Sequence, residues 1–475
     1  MRSAFTCYAE DAPAGCSRPP PAARALPADV AARVRQHPCY SEEAHHHFAR
    51  MHVAVAPGCN IQCHYCNRKY DCANESRPGV VSERLTPDQA LAKIHAVAAA
   101  VPQLSVVGIA GPGDPLANPA PTFAVLERLR RELPDLTPCL STNGLALPDH
   151  VDRLAALEVR HVTVTVNMVD PAVGERIHPW IVWKGRRVRG AEASRILSER
   201  QLEGIERLVA RRVLCKVNSV VIPGVNDAHL PGVSRRLRGM GVFLHNVMPL
   251  VSAAEHGTRY GLTGQRGPTA AELEAVQRAC AADGRVMRHC RQCRADAVGL
   301  IGQDRGAEFA LAALPPEPAR DAAEVRAAHR AAAERVRARA EAARQDALAR
   351  VAGIDPAVRA RVAVATRGGG LVNEHFGHAQ ELLVYDVDRG GARLVGVRRV
   401  ERTCRGGAGE EEVLEGALRA IGDCRAVLVA RVGSCPRERL EAAGIAPVVD
   451  RAQEPIEAAV LGWFEAFVAG GARAR

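Results

Sequence analysis

Met51-His-Val-Ala-Val-Ala56-Pro-Gly-Cys59-Asn-Ile-Gln-Cys63-His-Tyr-Cys66 is the stretch on which the fold turns. The run Met51–Ala56 is apolar and β-prone, and the Pro57-Gly58 pair that ends it predicts a strand followed by a loop. Three cysteines at C-x3-C-x2-C spacing fill that loop. Three thiolates so spaced can hold three irons of a [4Fe–4S] cubane and leave the fourth iron open to a chelating small molecule. A structural zinc would require a fourth protein ligand in a closed tetrahedron. His64 is at hand, but its place between Cys63 and Cys66 makes that geometry awkward.

Outward from this stretch the chain alternates strand and helix. β-rich runs fall at Met51–Ala56, Leu104–Ala110, Thr137–Thr142, Arg160–Asn167, Val213–Ile222 and Val242–Val247. Helical patterns fall at Thr86–Val101, Pro121–Leu133, Pro148–Leu157, Ser194–Arg212, Asp227–Met240 and Thr269–Asp283. Six such units predict an α/β fold, a partial (β/α)6 relative of the TIM barrel with its site at the C-terminal strand ends. Residues 1–38, rich in Pro and Ala, read as a flexible lead-in, and 39–305 as the barrel. Residues 306–357 are dominated by Ala, Arg and Glu, with a thin apolar face, and read as a semi-rigid helical spacer. A smaller α/β domain is expected over 358–475, with strands at Val362–Thr366, Glu381–Val387 and Ala426–Val432 and a helix at Glu410–Ile421.

Composition narrows the class. Of 475 residues 47% are hydrophobic and only 4% aromatic, and the formal net charge is +10. Aromatic stacking residues are too few, and the arginines too dispersed, for a nucleic-acid partner to be expected. No apolar run approaches the ~20 residues that cross a bilayer, and no signal-like segment opens the chain, so a cytoplasmic protein without a membrane partner is expected. Fifteen cysteines, twelve of them at or before Cys293, point to thiolate ligation rather than disulfides.

Beyond the triad, Cys39, Cys72, Cys139 and the C-x2-C pair Cys290/Cys293 remain, and His52 lies on the first strand. Five thiols and one imidazole could hold two further iron–sulfur clusters with three ligands each. Cys215 and Cys280 fall at core positions and read as small buried hydrophobes. Polar strand-end residues face the expected mouth: Gly111-Pro-Gly113-Asp114-Pro after the second strand, Ser141-Thr-Asn143-Gly after the third, and Asn167 after the fourth.

The cysteine spacing, with aromatic Tyr65 before its last member, resembles the radical S-adenosylmethionine (SAM) superfamily. That resemblance implies a [4Fe–4S] cluster on Cys59, Cys63 and Cys66, with SAM contacts from Gly111, Gly113, Asp114, Asn143 and Asn167. Asp114 is suited to the ammonium group of SAM. The stretch from His37-Pro-Cys39-Tyr through Asn67-Arg-Lys-Tyr-Asp-Cys72 to Pro78, with the tail Cys290-Arg-Gln-Cys293-Arg-Ala-Asp-Ala-Val-Gly299, is similar to the NifB family of nitrogenase cofactor maturases. The similarity spans roughly residues 37–305. It implies an enzyme that fuses two [4Fe–4S] clusters, a ninth sulfur (from sulfite) and a SAM-derived carbon into a carbide-centred 8Fe–9S precursor. One SAM would donate its methyl to a cluster sulfide, and a second would yield the 5′-deoxyadenosyl radical that abstracts hydrogen from it. Carried over by residue, Cys39, Cys290 and Cys293 would hold one substrate cluster, and His52, Cys72 and Cys139 the other, giving three [4Fe–4S] clusters in all. A ferredoxin or flavodoxin donor, a cluster-supplying scaffold and cofactor-carrier proteins are the implied partners. Val362–Thr366 with Asn373-Glu-His375-Phe-Gly-His378 and Tyr385 is similar to NifX-like, ribonuclease H-like cofactor-binding modules, where His375, His378 and Cys435 would contact the product.

Two rival readings stand beside this one. A different radical SAM enzyme with auxiliary clusters, such as a peptide maturase, would carry a peptide-recognition module, which the sequence does not display. A non-enzymatic cluster carrier would have no use for SAM.

Overall fold

A computed structural model describes residues 26–67, 81–282, 284–315, 322–402 and 410–471. Six parallel strands form the barrel wall: β1 (Ala49–Val53), β2 (Leu104–Ile109), β3 (Thr137–Thr142), β4 (His161–Thr165), β5 (Leu214–Val221) and β6 (Leu244–Pro249). A two-residue strand, β7 (Val298–Gly299), returns antiparallel on β1, so the order is β7-β1-β2-β3-β4-β5-β6. Helices such as Pro87–Ala100, Pro119–Glu132 and Gly190–Ala210 cover the outer face. The first of these starts at a Thr86/Gln89 capping box that satisfies its leading N–H groups. Alternation along the strands sends Met51, Val53, Val107, Ile109, Leu140, Val162, Val164, Cys215 and Val217 outward into the main apolar core. The intervening residues line the lumen.

The second domain is a five-stranded sheet built from β8 (Ala360–Val364), β9 (Glu381–Asp388), β10 (Gly391–Arg399), β11 (Ala426–Leu428) and β12 (Ala446–Val448), in the order β10-β9-β8-β11-β12. Helices Glu410–Ala420, Ser434–Ala442 and Ile456–Ala469 accompany it.

Two expectations about organisation need correction. Within the lead-in, Ala28–Val34 is a helix that buries Val34, and the following turn inserts Tyr40, whose hydroxyl donates to the Val162 and Leu214 carbonyls. The described part of the lead-in is therefore packed against the strand starts. The spacer likewise contains a 29-residue helix, Ala323–Val351, that is held at both ends. Arg326 is fully buried and pairs with Asp135 at 2.8 Å, Arg337 pairs with Glu43, and Arg350 pairs with Glu465 of the second domain. Ala347 and Val351 enter the second domain's core. The helix is a brace across both domains, fixed by arginines whose partners lie far away in the sequence.

Candidate functional site

The cysteine loop hangs from the C-terminal end of β1. Its Ile61–Gln62 segment pairs with Trp180–Trp183, which turns back through Lys184-Gly185 into Arg186–Val188, a three-stranded flap beside the mouth. The Gln62 side chain donates to the Cys63 and Cys66 carbonyls at 3.0 and 2.9 Å and so ties the loop into its curve. Cys63 is buried, Cys59 and Cys66 half-buried, and all three pack among Leu145, Met168, Ile177, Met248 and Leu250. Asn143 points its amide N–H at the Cys59 sulfur, 3.6 Å away. Asn167 donates to the Tyr65 hydroxyl at 2.7 Å, and its carbonyl oxygen accepts from Val220 N–H. The His64 ring lies against Tyr260, 5.4 Å between centroids. Among the described residues no three thiol, imidazole or carboxylate groups converge tightly enough to share one metal ion. Three thiols in an apolar cradle, with an N–H aimed at one sulfur, suit a cubane with its wider ligand spacing.

The Gly111–Asp114 loop has a different job from the one expected. Asp114 is fully buried, and its carboxylate accepts from Leu116 N–H, Ala117 N–H, the Thr142 hydroxyl and Asn143 N–H, the last at 2.6 Å. Burial raises its pKa while these donors pull it down. Both oxygens are thus spent on the fold, and Asp114 locks the β2 loop to the β3 loop instead of meeting an ammonium group. The close approach that Gly113 permits is to the cysteine loop itself: a Cβ there would lie 2.0 Å from the Gly58 carbonyl oxygen. Gly113 N–H donates to Ala56, and Asp114 N–H to Gly58. The loop is a cradle for residues 56–59, and Gly111 abuts Ala295 of the tail.

Below the mouth the lumen is polar. Arg50, His52, Cys139, Ser141, His161, Thr163, Thr165, Lys216, Asn218 and Asn246 occupy inward positions and are all buried. Register places His52, Gly108 and Cys139 at one level on three adjacent strands. The His52 ring lies over Gly108, where an added Cβ would meet its Cδ2 at 2.6 Å. Its Nδ1 bonds the Arg294 carbonyl at 3.0 Å, which puts the proton on Nδ1 and the lone pair on Nε2, as in metal-ligating imidazoles. Burial holds His161 and His289 near pKa 3, so both are neutral. Asn246 donates to the Cys290 sulfur at 3.3 Å while its own carbonyl oxygen, like His289 Nδ1, is buried without a partner. Such orphaned groups in a thiol-bearing lumen fit an iron–sulfur ligand.

Cys39 and Cys290/Cys293 enter from directions the sequence did not suggest. Cys39 rises from the strand-start end, next to Tyr40. The tail carrying Cys290 and Cys293 runs up the side of the barrel, from the Val286 bridge with His245 to β7 on β1. The buried guanidinium of Arg50 faces both Cys293 and Cys39. Cys72 lies outside the described residues. In the second domain, the His375 and His378 rings lie tilted together, 4.7 Å between centroids, His375 Nδ1 caps the turn at Gly377, and a bridge to Arg431 sets this turn beside the loop leading to exposed Cys435.

Arg50, Lys216, His161 and Asn246 were missed from sequence, although the signal was present as polar residues at alternate positions of otherwise apolar strands. The Trp180–Val188 flap was missed too, despite its Lys-Gly turn between alternating aromatic and aliphatic residues.

Comparison with known proteins places this geometry. Residues 53–237 match the Radical SAM superfamily, and residues 358–466 match the family described as Dinitrogenase iron-molybdenum cofactor. The chain is 57% identical over 446 residues to the FeMo cofactor biosynthesis protein NifB of Herbaspirillum seropedicae, covering 92% of this chain and 85% of that one. It is 53% identical over 457 residues to the protein of that name from Azotobacter vinelandii, covering 94% and 91%. Among solved structures, Streptococcus suis SuiB bound to precursor peptide SuiA has 12% identity and a TM-score of 0.33 over 48% of this chain and 44% of that one, too slight a likeness to carry an argument. Among the described residues no helix is long and apolar enough to cross a membrane.

Proposed function

Because the chain belongs to the NifB family of FeMo cofactor biosynthesis proteins, we propose that it is the carbide-inserting enzyme of that pathway, joining two [4Fe–4S] units, a ninth sulfur and a SAM-derived carbon into an 8Fe–9S–C cluster. The observation that carries this reading is the lumen: four thiols and an imidazole beyond the triad line or enter one barrel, directly beneath the loop that would bind SAM.

Cys59, Cys63 and Cys66 would hold the catalytic cluster, which when bound would supply the electron for reductive cleavage of SAM. Asn143 polarises the Cys59 thiolate by its N–H, and Asp114 holds Asn143 where it can do so. Leu145, Met168, Met248 and Leu250 keep water from the reacting carbon. His52, oriented by the Arg294 carbonyl, offers a neutral nitrogen ligand, easier to displace than a thiolate when a substrate cluster must be rebuilt. Lys216 and Arg50 set positive charge opposite the thiolates. The electron comes from a ferredoxin- or flavodoxin-type donor, which the net positive charge of the chain would favour. The remaining partners are a scaffold that supplies [4Fe–4S] units and carriers that take the product. His375, His378 and Cys435 are product contacts in this reading.

Anaerobic loading should give about twelve irons per chain, as three [4Fe–4S] units. Incubation with SAM and dithionite should then release both S-adenosylhomocysteine, from methyl transfer, and 5′-deoxyadenosine. A fully loaded chain holding only about four irons, or one making 5′-deoxyadenosine without S-adenosylhomocysteine, would refute the proposal.

A further inference from the structure

A partial barrel has a gap between its first and last strands, and here residues 286–299 fill it, with Cys290 and Cys293 midway. The second domain covers the outside of this same filling. Arg291 pairs with Glu381 of β9 at 2.7 Å, and Arg399 of β10 donates to the Arg291 carbonyl at 3.1 Å. Further along the interface Arg361 of β8 pairs with Glu274 at 2.9 Å. Two cavities lie along this part of the interface. One, of about 920 Å3, reaches Cys293, and the other, of about 380 Å3, reaches Cys290. The β9–β10 hairpin contributes a wall to each.

The larger cavity has an unusual cation in its wall. Arg50 is 1% exposed, and one of its terminal nitrogens donates to the carbonyls of Gly299, Leu300 and Gln303. Its Nε has no hydrogen-bond partner, and it forms no ion pair with a carboxylate among the described residues. A buried guanidinium so placed is strongly unfavourable unless an anion answers it. Arg50 interacts with the Cys293 thiol, more weakly with Cys39, and more weakly still with Asp304. Across the cavity the second domain presents Arg399 and Arg419. Glu401 and Glu412 share that wall; all four of these side chains are exposed and screened by solvent, so the buried cation of the cavity without a carboxylate partner among the described residues is Arg50.

We propose that the finished cluster, a polyanion, leaves the barrel sideways past Cys290 and Cys293 into this cavity, where the second domain of the same chain receives it. The inference rests on the function proposed above. A small oxyanion would need only a fraction of the space, whereas about 920 Å3 falls in the range of ~300–1,000 Å3 typical of sites for larger ligands. The route also separates traffic, because SAM meets its cluster at the strand-end mouth and the product departs at the side. The bonds that break are those from iron to the cysteine sulfurs and to His52 Nε2, whose lone pair stays on the imidazole. Each other electron pair stays on its thiolate, water fills the vacated iron position, and no electron changes hands.

Hydrogen–deuterium exchange on the full chain tests this directly. After one round of anaerobic turnover, β10 and helix Glu410–Ala420 should gain protection relative to the cluster-loaded protein before SAM. The double variant Arg399→Glu/Arg419→Glu should lose that protection and shed product iron at least fivefold faster on anaerobic gel filtration. Arg419→Glu alone, on an exposed position with no domain contact to lose, should do so in part. First-turnover 5′-deoxyadenosine, made in the barrel, should stay within twofold in both. Normal 5′-deoxyadenosine with no new protection in the wild type overturns the side exit alone. Equal protection from sulfite alone, without SAM, overturns it in favour of an oxyanion site. Absence of both SAM products overturns the underlying function and this inference with it.

Discussion

The two sheets of this chain use the same alternating strands to opposite ends. In the second domain both faces are apolar: Val362, Val364, Leu383 and Tyr385 pack under the helix Ile456–Ala469, while Ala363, Leu382, Val384 and Val427 pack under Glu410–Ala420. In the barrel the outer face is apolar along its length, whereas the inner face is apolar only at the mouth, where Val220 and Met248 join the cradle of the cysteine loop. The inner face buries an arginine, a lysine, two histidines and two asparagines, and Arg50 Nε, both ring nitrogens of His161 and Asn246 Oδ1 have no hydrogen-bond partner. Apolar burial on two faces stabilises a sheet with no further requirement. Desolvated polar groups on one face cost stability unless something answers them. The difference separates a sheet that is its own purpose from one shaped around cargo, and it implies that damage to the barrel's inner end is chemical where damage to the second sheet is structural.

The sharpest way to break that division is Cys63→Ala. SAM cleavage should fall to background and about four of roughly twelve irons should be lost, while the thermal transition of the second domain stays in place. Residual cleavage above background would mean that the triad is not the radical source. Asp114→Asn should come next. An amide cannot accept from four donors at once, so about 3–5 kcal/mol of barrel stability should go, and SAM cleavage should drop because Asn143 loses its anchor. Calorimetry that finds the barrel transition unmoved would show the carboxylate to be spare, and so available to a ligand after all. Leu383→Ala, under the second sheet, should cost about 2–4 kcal/mol in that domain only. Initial 5′-deoxyadenosine formation should be unchanged, and a parallel loss of it would show that the two domains do not divide the work.

The division was half legible in the sequence. The six barrel strands stand within a few residues of where β-rich runs put them, because each run is bounded by helical periodicity and by turn residues. The triad was legible from spacing alone. The helix over 323–351 was legible as a helix but not as a brace, since its apolar face is thin and it is held instead by Arg326 and Arg337, whose partners Asp135 and Glu43 are distant in the chain. β10 escaped notice for a related reason: Gly391-Ala-Arg-Leu-Val-Gly-Val-Arg-Arg399 is half exposed, and the register slips at Val384/Tyr385 of its partner, which blurs the alternation. Asp114 was legible as a residue of consequence but not in its role, because a carboxylate that caps a turn and one that meets an ammonium group look alike until their donors are counted.

The smallest effect lies where the two sheets are braced together. Glu42 borders a cavity of about 530 Å3 with His46, His47, Tyr385 and Glu457, between the barrel's lead-in and the second domain. Burial, with the charge of Glu457 adding to it and Arg288 opposing, pushes its carboxyl up to about 8. Glu457 is raised to about 7 by burial, against Arg344, and His46 and His47 are held near 3 and 4, neutral throughout the window considered. A carboxyl that stays protonated in the fold but ionises near 4.5 in the unfolded chain makes the unfolded state bind fewer protons, so stability declines as pH rises from about 4.5 to about 8 and levels off above. Glu42→Gln, neutral at every pH, should therefore match the wild type at pH 5 and melt higher at pH 8. The gain should be modest, because the site is only partly buried and solvent screens it. Melting curves of the two proteins that stay parallel from pH 5 to 8 would mean that Glu42 ionises as freely in the fold as out of it, and that the brace between barrel and second sheet is indifferent to pH.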